Sequence, residues 1–261
     1  LFALLMVSGI SVSSFLGLAF AQWVLGIPLL TDPKLIDDIS NPDLVPALRA
    51  MQVLQAIGWL IIPGLIFLWL STGKLGMLRM FGWPERQPVL LSIAFFLVVF
   101  PFINYLADWN ATVQLPDWFG DWMRSKEDQA GTLTEMFLLM PAVGLLLFNL
   151  FMIALLPAVG EELIFRGVVQ RGILKQFGNP HVAVWLAAVL FSAIHMQFYG
   201  FVPRMLMGVA LGYLFLWSGN LWYPIIAHFT NNAMAIVLSF GVQQNSIDSS
   251  VENIGVNEPT L

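Results

Sequence analysis

Three groups of polar residues interrupt the apolar second half of the sequence. The first is the run Glu161, Glu162 and Arg166, the second ends at His195, and the third contains His228 and Asn232. Carboxylates, imidazoles and amides are costly in an apolar environment, so in membrane segments they are functional candidates. They are also the side chains that acid–base catalysis and oxyanion stabilisation use.

The spacing of the first group gives its two carboxylates different surroundings. Glu162 and Arg166 are four residues apart, so we expect them to share a helix face and to form an ion pair. Glu161 then points about 100° away from that face and remains available as a general base. A helix that begins with acidic residues at a membrane interface is an equally good explanation of the same pattern.

The two histidine groups have the same four-residue spacing. Phe191 and His195 would share one face of a helix, and a lone histidine there is commonly a hydrogen-bonded core residue. His228 and Asn232 could together donate two hydrogen bonds to one point, as an oxyanion hole requires. The alternative is that they hydrogen-bond between helices, as His and Asn often do in membrane bundles.

A predicted turn connects the first two groups. Gly178, Asn179 and Pro180 interrupt the helical pattern, so we expect the tip of a hairpin of two antiparallel helices there. Glu161 and His195 each lie about 16 residues, or roughly 25 Å, from that tip. The hairpin would therefore place a carboxylate opposite an imidazole at the same depth.

The composition is that of a membrane protein. Of the 261 residues, 58% are hydrophobic and 10% are charged, against about 25% charged residues in soluble domains. Such values exclude an ordinary soluble domain and a disordered chain. The absence of cysteine excludes disulfides and thiolate catalysis, and the net charge of −5 argues against a nucleic-acid partner.

The expected fold class is all-α, a polytopic transmembrane bundle of about eight helices. We expect apolar helices at residues 1–31, 51–70, 89–106, 137–156, 160–177, 181–198, 203–217 and 222–240. Lys74, Arg79 and Arg86 place the loop 72–88 in the cytoplasm, and the acidic loops 32–49 and 108–135 outside. Eight crossings, which we favour, put both termini and the site opening in the cytoplasm. Seven crossings result if 160–177 lies along the interface.

The three motifs in this order resemble the CPBP family, the CAAX-protease and bacteriocin-processing intramembrane proteases, also called Abi or Rce1-like. The resemblance covers residues 149–237 and includes Gly167 after the arginine. It implies hydrolysis of a peptide bond within the membrane, with Glu161 and His195 activating a water. It also implies that His228 and Asn232 stabilise the oxyanion, and that Glu162 and Arg166 support the site.

The metal dependence of such a site has two interpretations. The resemblance implies a metalloprotease, and Glu161, His195 and His228 could form a zinc site with an open fourth position. The sequence has no His-Glu-x-x-His motif, which would make a zinc assignment firm. We favour the alternative, in which Glu161 and His195 activate water without a metal.

The predicted organisation has three parts: variable N-terminal helices over residues 1–145, a protease core over 146–241 and a polar tail over 242–261. The expected partners are membrane lipid and a peptide or protein substrate, including a lipid-modified one, in a bacterial plasma membrane. No particular partner protein is predicted. Two other functions fit the same residues: a proton-coupled transporter that uses the acids and histidines as a relay, and a non-enzymatic membrane immunity or scaffold protein.

Overall fold

Six helices of this chain are long and apolar enough to cross a membrane, within the residues that the structure describes. The computed structural model describes residues 1–38, 41–113 and 116–254. A bilayer core of about 30 Å needs about 20 apolar residues, and each of the six helices has 18 or more. The protein is therefore an integral, multi-pass membrane protein, and this part of the sequence-based prediction is confirmed.

Eight helices account for the described part of the chain, which contains no strand. They are α1 (Phe2–Trp23), α2 (Pro42–Gly73), α3 (Arg86–Ala111), α4 (Asp117–Leu138), α5 (Val143–Phe177), α6 (Pro180–Ile194), α7 (Phe201–Ser218) and α8 (Trp222–Gln243). Helical turns continue beyond α2 as far as Met80, after a kink at Gly73, whose φ is 69°. The expected all-α fold class is confirmed.

Two of these helices differ from the sequence-based expectation. Residues 137–156 and 160–177 were expected as separate helices, but most of both belongs to the single helix α5. Pro157 does not end it, because the turn before it, Leu150–Leu155, widens into a π-helical turn that accommodates a residue without an N–H. Most of the expected acidic loop 108–135 is helical as α4, since charged side chains are compatible with a surface helix.

Backbone and amide contacts define the two ends of the bundle. At the end that we call the acidic end, Asn110 Nδ2 donates to the carbonyls of Phe198 and Tyr199 at 2.5 and 2.8 Å. Gln243 Nε2 at the end of α8 donates there to the Leu138 carbonyl at 2.6 Å. These contacts place the end of α3, the segment between α6 and α7, and the end of α8 on one side.

The opposite, basic end contains the loop after α2. The Leu221 N–H donates to the Met80 carbonyl at 2.7 Å, and Asn220 Nδ2 donates to the Gly82 carbonyl at 2.6 Å. The start of α1 is also near the basic end of α2, because the rings of Phe2 and Phe67 lie 5.1 Å apart. Helix α1 therefore begins at one end of the bundle and α8 finishes at the other, whereas eight crossings would put both at the same end.

The predicted orientation depends on three basic residues in the loop 72–88. The side chains of Lys74 and Arg79 lie outside the described part of the structure, and Arg86 is exposed at the start of α3. The predicted polar tail is described as far as Ile254. Its carbonyl accepts a hydrogen bond from Asn104 Nδ2 at 3.1 Å, so residues 244–254 fold back toward α3.

Close helix packing brings the polar residues of α5, α6 and α8 together. A Cβ added at Gly160 would lie 2.7 Å from the Leu60 Cβ, so glycine lets α2 approach α5 closely. A Cβ at Gly208 would lie 3.2 Å from the Ala188 Cβ, so α7 packs tightly on α6 in the same way. Small residues at such contacts are typical of helix association in membranes. They leave α5 surrounded by protein at the level of its polar residues.

Candidate active site

The buried ion pair predicted from the i, i+4 spacing is present in α5. Arg166 Nε lies 2.8 Å from Glu162 Oε2, and neither side chain is exposed at all. The other oxygen, Glu162 Oε1, contacts His228 Nδ1 at 3.0 Å. Because a carboxylate accepts but does not donate, His228 carries a proton on Nδ1. Glu162 therefore connects the guanidinium of α5 to the imidazole of α8.

Glu161 lies between two histidines, one directly after α6 and one in α8. Its Oε1 is 3.8 Å from His195 Nε2, and its Oε2 is 3.8 Å from His228 Nε2. The Glu161 side chain is 16% exposed, so the group is reachable from outside the core. A distance of 3.8 Å is too long for a direct hydrogen bond, but a water can bridge it. The prediction that the hairpin places Glu161 opposite His195 is confirmed.

The Phe191 ring is the packing centre of this cluster. Its centroid lies 5.0 Å from that of His195 and 5.9 Å from that of His228, both in edge-on arrangements. The Arg166 guanidinium carbon is 5.6 Å from the same centroid, within the range of a cation–π contact. One aromatic side chain thus packs against groups from all three polar motifs, whereas the spacing had shown only that it shares a face with His195.

A backbone carbonyl fixes the protonation pattern of His195. Its Nδ1 lies 2.7 Å from the Phe191 carbonyl oxygen, which can only accept, so Nδ1 carries the proton. In the neutral imidazole the second nitrogen is then an acceptor. His195 Nε2 therefore presents a lone pair toward Glu161.

Asn232 contacts the backbone of α5. Its Nδ2 lies 3.5 Å from the Ile153 carbonyl, and its Oδ1 accepts from Asn231 Nδ2 at 3.2 Å. The Ile153 carbonyl has no α-helical donor four residues later, because that residue is Pro157. No hydrogen bond joins Asn232 to Glu161, His195 or His228 among the described residues. Its predicted role beside His228 in an oxyanion hole stays a prediction.

Arg204 and Gln197 are two polar residues near the cluster that the motifs do not include. Arg204 Nη2 donates to Gln197 Oε1 at 2.7 Å, just beyond His195 in the chain. The available signal in the sequence was that Arg204 is the one formally charged residue of α7. An isolated charge in an apolar helix indicates a function.

The side chains proposed as zinc ligands do not converge on one point. Within the described ranges, no group of three or more His, Cys, Asp or Glu side chains is arranged to hold a metal ion. Glu161 faces the two histidines through different oxygens, each 3.8 Å from its imidazole nitrogen. The metal-free interpretation stays a prediction, and we derive no step through a metal.

Comparison with known proteins places the cluster in a family. Residues 143–234 match the family model described as Type II CAAX prenyl endopeptidase Rce1-like. This segment belongs to the Rce1-like family. It contains the three polar motifs and extends from the start of α5 to just past the middle of α8. The family assignment made from the spacing of those motifs is confirmed.

A curated relative of this chain comes from Bacillus subtilis (strain 168). The two sequences are 31% identical over 111 residues, which is 40% of this chain and 54% of the relative, the uncharacterized protein YpbD. The chain therefore spans about half the length of this curated relative. No solved structure matches this chain.

Proposed function

We propose that this protein is an intramembrane endopeptidase that hydrolyses a peptide bond with a water activated by Glu161 and His195. The observation that carries the proposal is the position of Glu161, with each carboxylate oxygen 3.8 Å from a different imidazole. Membership of residues 143–234 in the Rce1-like family supports it. The surrounding helices are apolar, and low water content strengthens electrostatic interactions in such a site.

The geometry favours a water held by two acceptors. Glu161 Oε1 and His195 Nε2 both present lone pairs, so a water between them donates one hydrogen to each. Its own lone pair is then free to attack the carbonyl carbon of a peptide. Glu161 takes the proton as the bond forms and returns it to the leaving amine, as a general base and then a general acid.

His228 and Asn232 are the proposed donors to the oxyanion. His228 donates from Nδ1 to Glu162, so in the protonated imidazole Nε2 also carries a hydrogen that can reach a developing negative charge. Asn232 lies one turn further along α8 and can donate from Nδ2 once that group leaves the Ile153 carbonyl. Glu162 and Arg166 hold His228 in orientation and are positioning residues.

The proposed substrate is a peptide or protein segment that reaches the site from the membrane, including a lipid-modified one. The family model refers to prenylated substrates, and this chain is apolar around the cluster. We place the protein in a bacterial plasma membrane. The test is a comparison of membrane proteomes from cells that express wild type or Glu161→Gln. We expect shortened forms of particular proteins in the wild type alone, and identical proteomes would contradict the proposal.

Removal of metal is expected to leave peptidase activity unchanged. The proposed mechanism takes the proton directly from water to Glu161, and the three candidate ligands do not converge. The measurement is zinc content of the detergent-purified protein by mass spectrometry, together with cleavage rates before and after dialysis against a chelator. One zinc per chain, lost together with activity and restored on adding zinc, would overturn the metal-free mechanism.

A further inference from the structure

Arg204 is a fixed guanidinium in the first turn of α7. Its Nη1 donates to the Gln197 carbonyl at 3.2 Å, and its Nη2 donates to Gln197 Oε1 at 2.7 Å. A Cβ added at Gly200 would lie 3.1 Å from Nη2, so the glycine leaves space for the guanidinium. Both partners of Arg204 are neutral, so these contacts orient the cation without neutralising its charge.

The turn after His195 places this cation beside the candidate active site. Met196 has a φ of 55°, an uncommon left-handed conformation for a side chain other than glycine, and it directs Gln197 toward α7. Gln197 is two residues beyond His195, so its contacts hold the Arg204 guanidinium near the site, where the carboxylates of Glu161 and Glu127 attract it. No carboxylate forms an ion pair with it in the described part of the chain.

The chemistry of arginine indicates which kind of ligand this guanidinium binds. A charge in a membrane-spanning segment is costly and is normally paired. The two bonds to Gln197 use two of the five N–H groups of a guanidinium, so the others are available to a ligand. The planar fork of these groups matches a carboxylate, which it binds through two parallel hydrogen bonds. Arg204 is only half-buried, so a ligand can reach it.

We propose that Arg204 and Gln197 form a carboxylate-binding subsite for the peptide substrate, next to Glu161 and His195. The proposal rests on the proposed peptidase function and adds a substrate preference to it. A peptide whose carboxylate reaches Arg204 when its scissile bond lies at Glu161 is bound more tightly and hydrolysed faster. The carboxylate has two sources, the C-terminus of a peptide or the side chain of an acidic residue.

The experiment uses matched peptide mixtures and the full chain in lipid vesicles. All peptides carry an S-farnesyl cysteine, which anchors them to the bilayer. The first pair of mixtures differs only in ending as a free acid or an amide. In the second pair all peptides end as amides and contain either one Asp or one Asn near the cysteine. Products are quantified by mass spectrometry for wild type, Arg204→Gln and Arg204→Lys. Arg124→Gln removes a positive charge from exposed α4 as the control.

We expect wild type to cleave at least one carboxylate-bearing mixture at least tenfold more efficiently than its neutral partner, through a lower KM. Arg204→Gln should reduce that ratio to within about twofold of unity, Arg204→Lys should retain part of it, and Arg124→Gln should leave it unchanged. The mixture pair that shows the preference identifies the source of the carboxylate.

Two results would overturn the subsite. One is a wild-type protein that cleaves both members of each pair equally well. The other is an Arg204→Gln variant that is slower on charged and neutral peptides in the same proportion, which indicates that Arg204 only holds the turn. If wild type cleaves none of the mixtures, the peptidase proposal fails separately. Equilibrium binding of the same peptides then tests the subsite. If wild type binds the carboxylate-bearing peptides more tightly and Arg204→Gln does not, the subsite is supported. If wild type shows no such preference, the subsite is refuted.

Discussion

Glu161→Gln is expected to reduce peptide cleavage by a factor of about 10² to 10⁴ while leaving the fold intact. The amide has nearly the same shape as the carboxylate, but it cannot take a proton from the proposed nucleophilic water. Glu161 makes only long contacts of 3.8 Å to its histidines, so little packing or hydrogen bonding is lost. The measurement is the initial rate of product formation by purified protein, with its thermal unfolding midpoint in the same detergent.

The matched control is Glu135→Gln, which makes the same chemical change on the exposed surface of α4. It should retain the wild-type rate. Full activity in Glu161→Gln would reject Glu161 as the base. Loss of activity accompanied by a large fall in the unfolding midpoint would also contradict the expectation, because the carboxylate would then be a structural group.

The second large effect concerns stability. Glu162→Leu removes the carboxylate from a guanidinium that has no exposed surface. Breaking a buried ion pair in this way typically lowers the free energy of unfolding by about 3–5 kcal/mol, because an uncompensated charge remains. Two nitrogens of Arg166, Nη1 and Nη2, have no hydrogen-bond partner in the described structure, so no second hydrogen-bonded carboxylate replaces Glu162. The measurement is unfolding of the purified protein in mixed detergent micelles.

The double variant Glu162→Leu/Arg166→Met separates stability from function. It removes both charges, so we expect it to recover most of the lost stability. It should remain inactive, because His228 Nδ1 has lost the oxygen that orients it at 3.0 Å. Asp121→Asn, which breaks an exposed pair of 3.8 Å, is the control and should change stability by less than about 1 kcal/mol. A double variant as unstable as the single one would show that the pair is not the source of the effect.

Several features of the site could be predicted because they depend on local geometry. The Glu162–Arg166 pair follows from the pitch of one helix, and four residues bring two side chains to one face in any helix. The approach of Glu161 to His195 follows from one turn at residues 178–180 and from the similar distances of the two residues from that turn along the chain. Both predictions are independent of the residues that pack around the hairpin.

Other features could not be predicted because competing local signals are decided by packing. Pro157 can end a helix or be absorbed by a widened turn, and its neighbours in sequence favour neither outcome. The charged residues of α4 suit a loop as well as a surface helix. The partner of Asn232 is the Ile153 carbonyl, which is available only because α5 continues through the proline.

The sequence by itself determined that the protein is a bundle of apolar helices, which residues carry its polar chemistry, and which family its core resembles. These three conclusions follow from the composition, the lengths of the apolar segments and the spacing of the polar residues, all of which can be read from the sequence. Only the tertiary structure decided that Glu161 faces His228 as well as His195, that Phe191 packs against all three motifs, and that Arg204 is held by Gln197 just beyond His195. Those facts depend on distances between helices, and the distances are set by side-chain packing across the whole bundle.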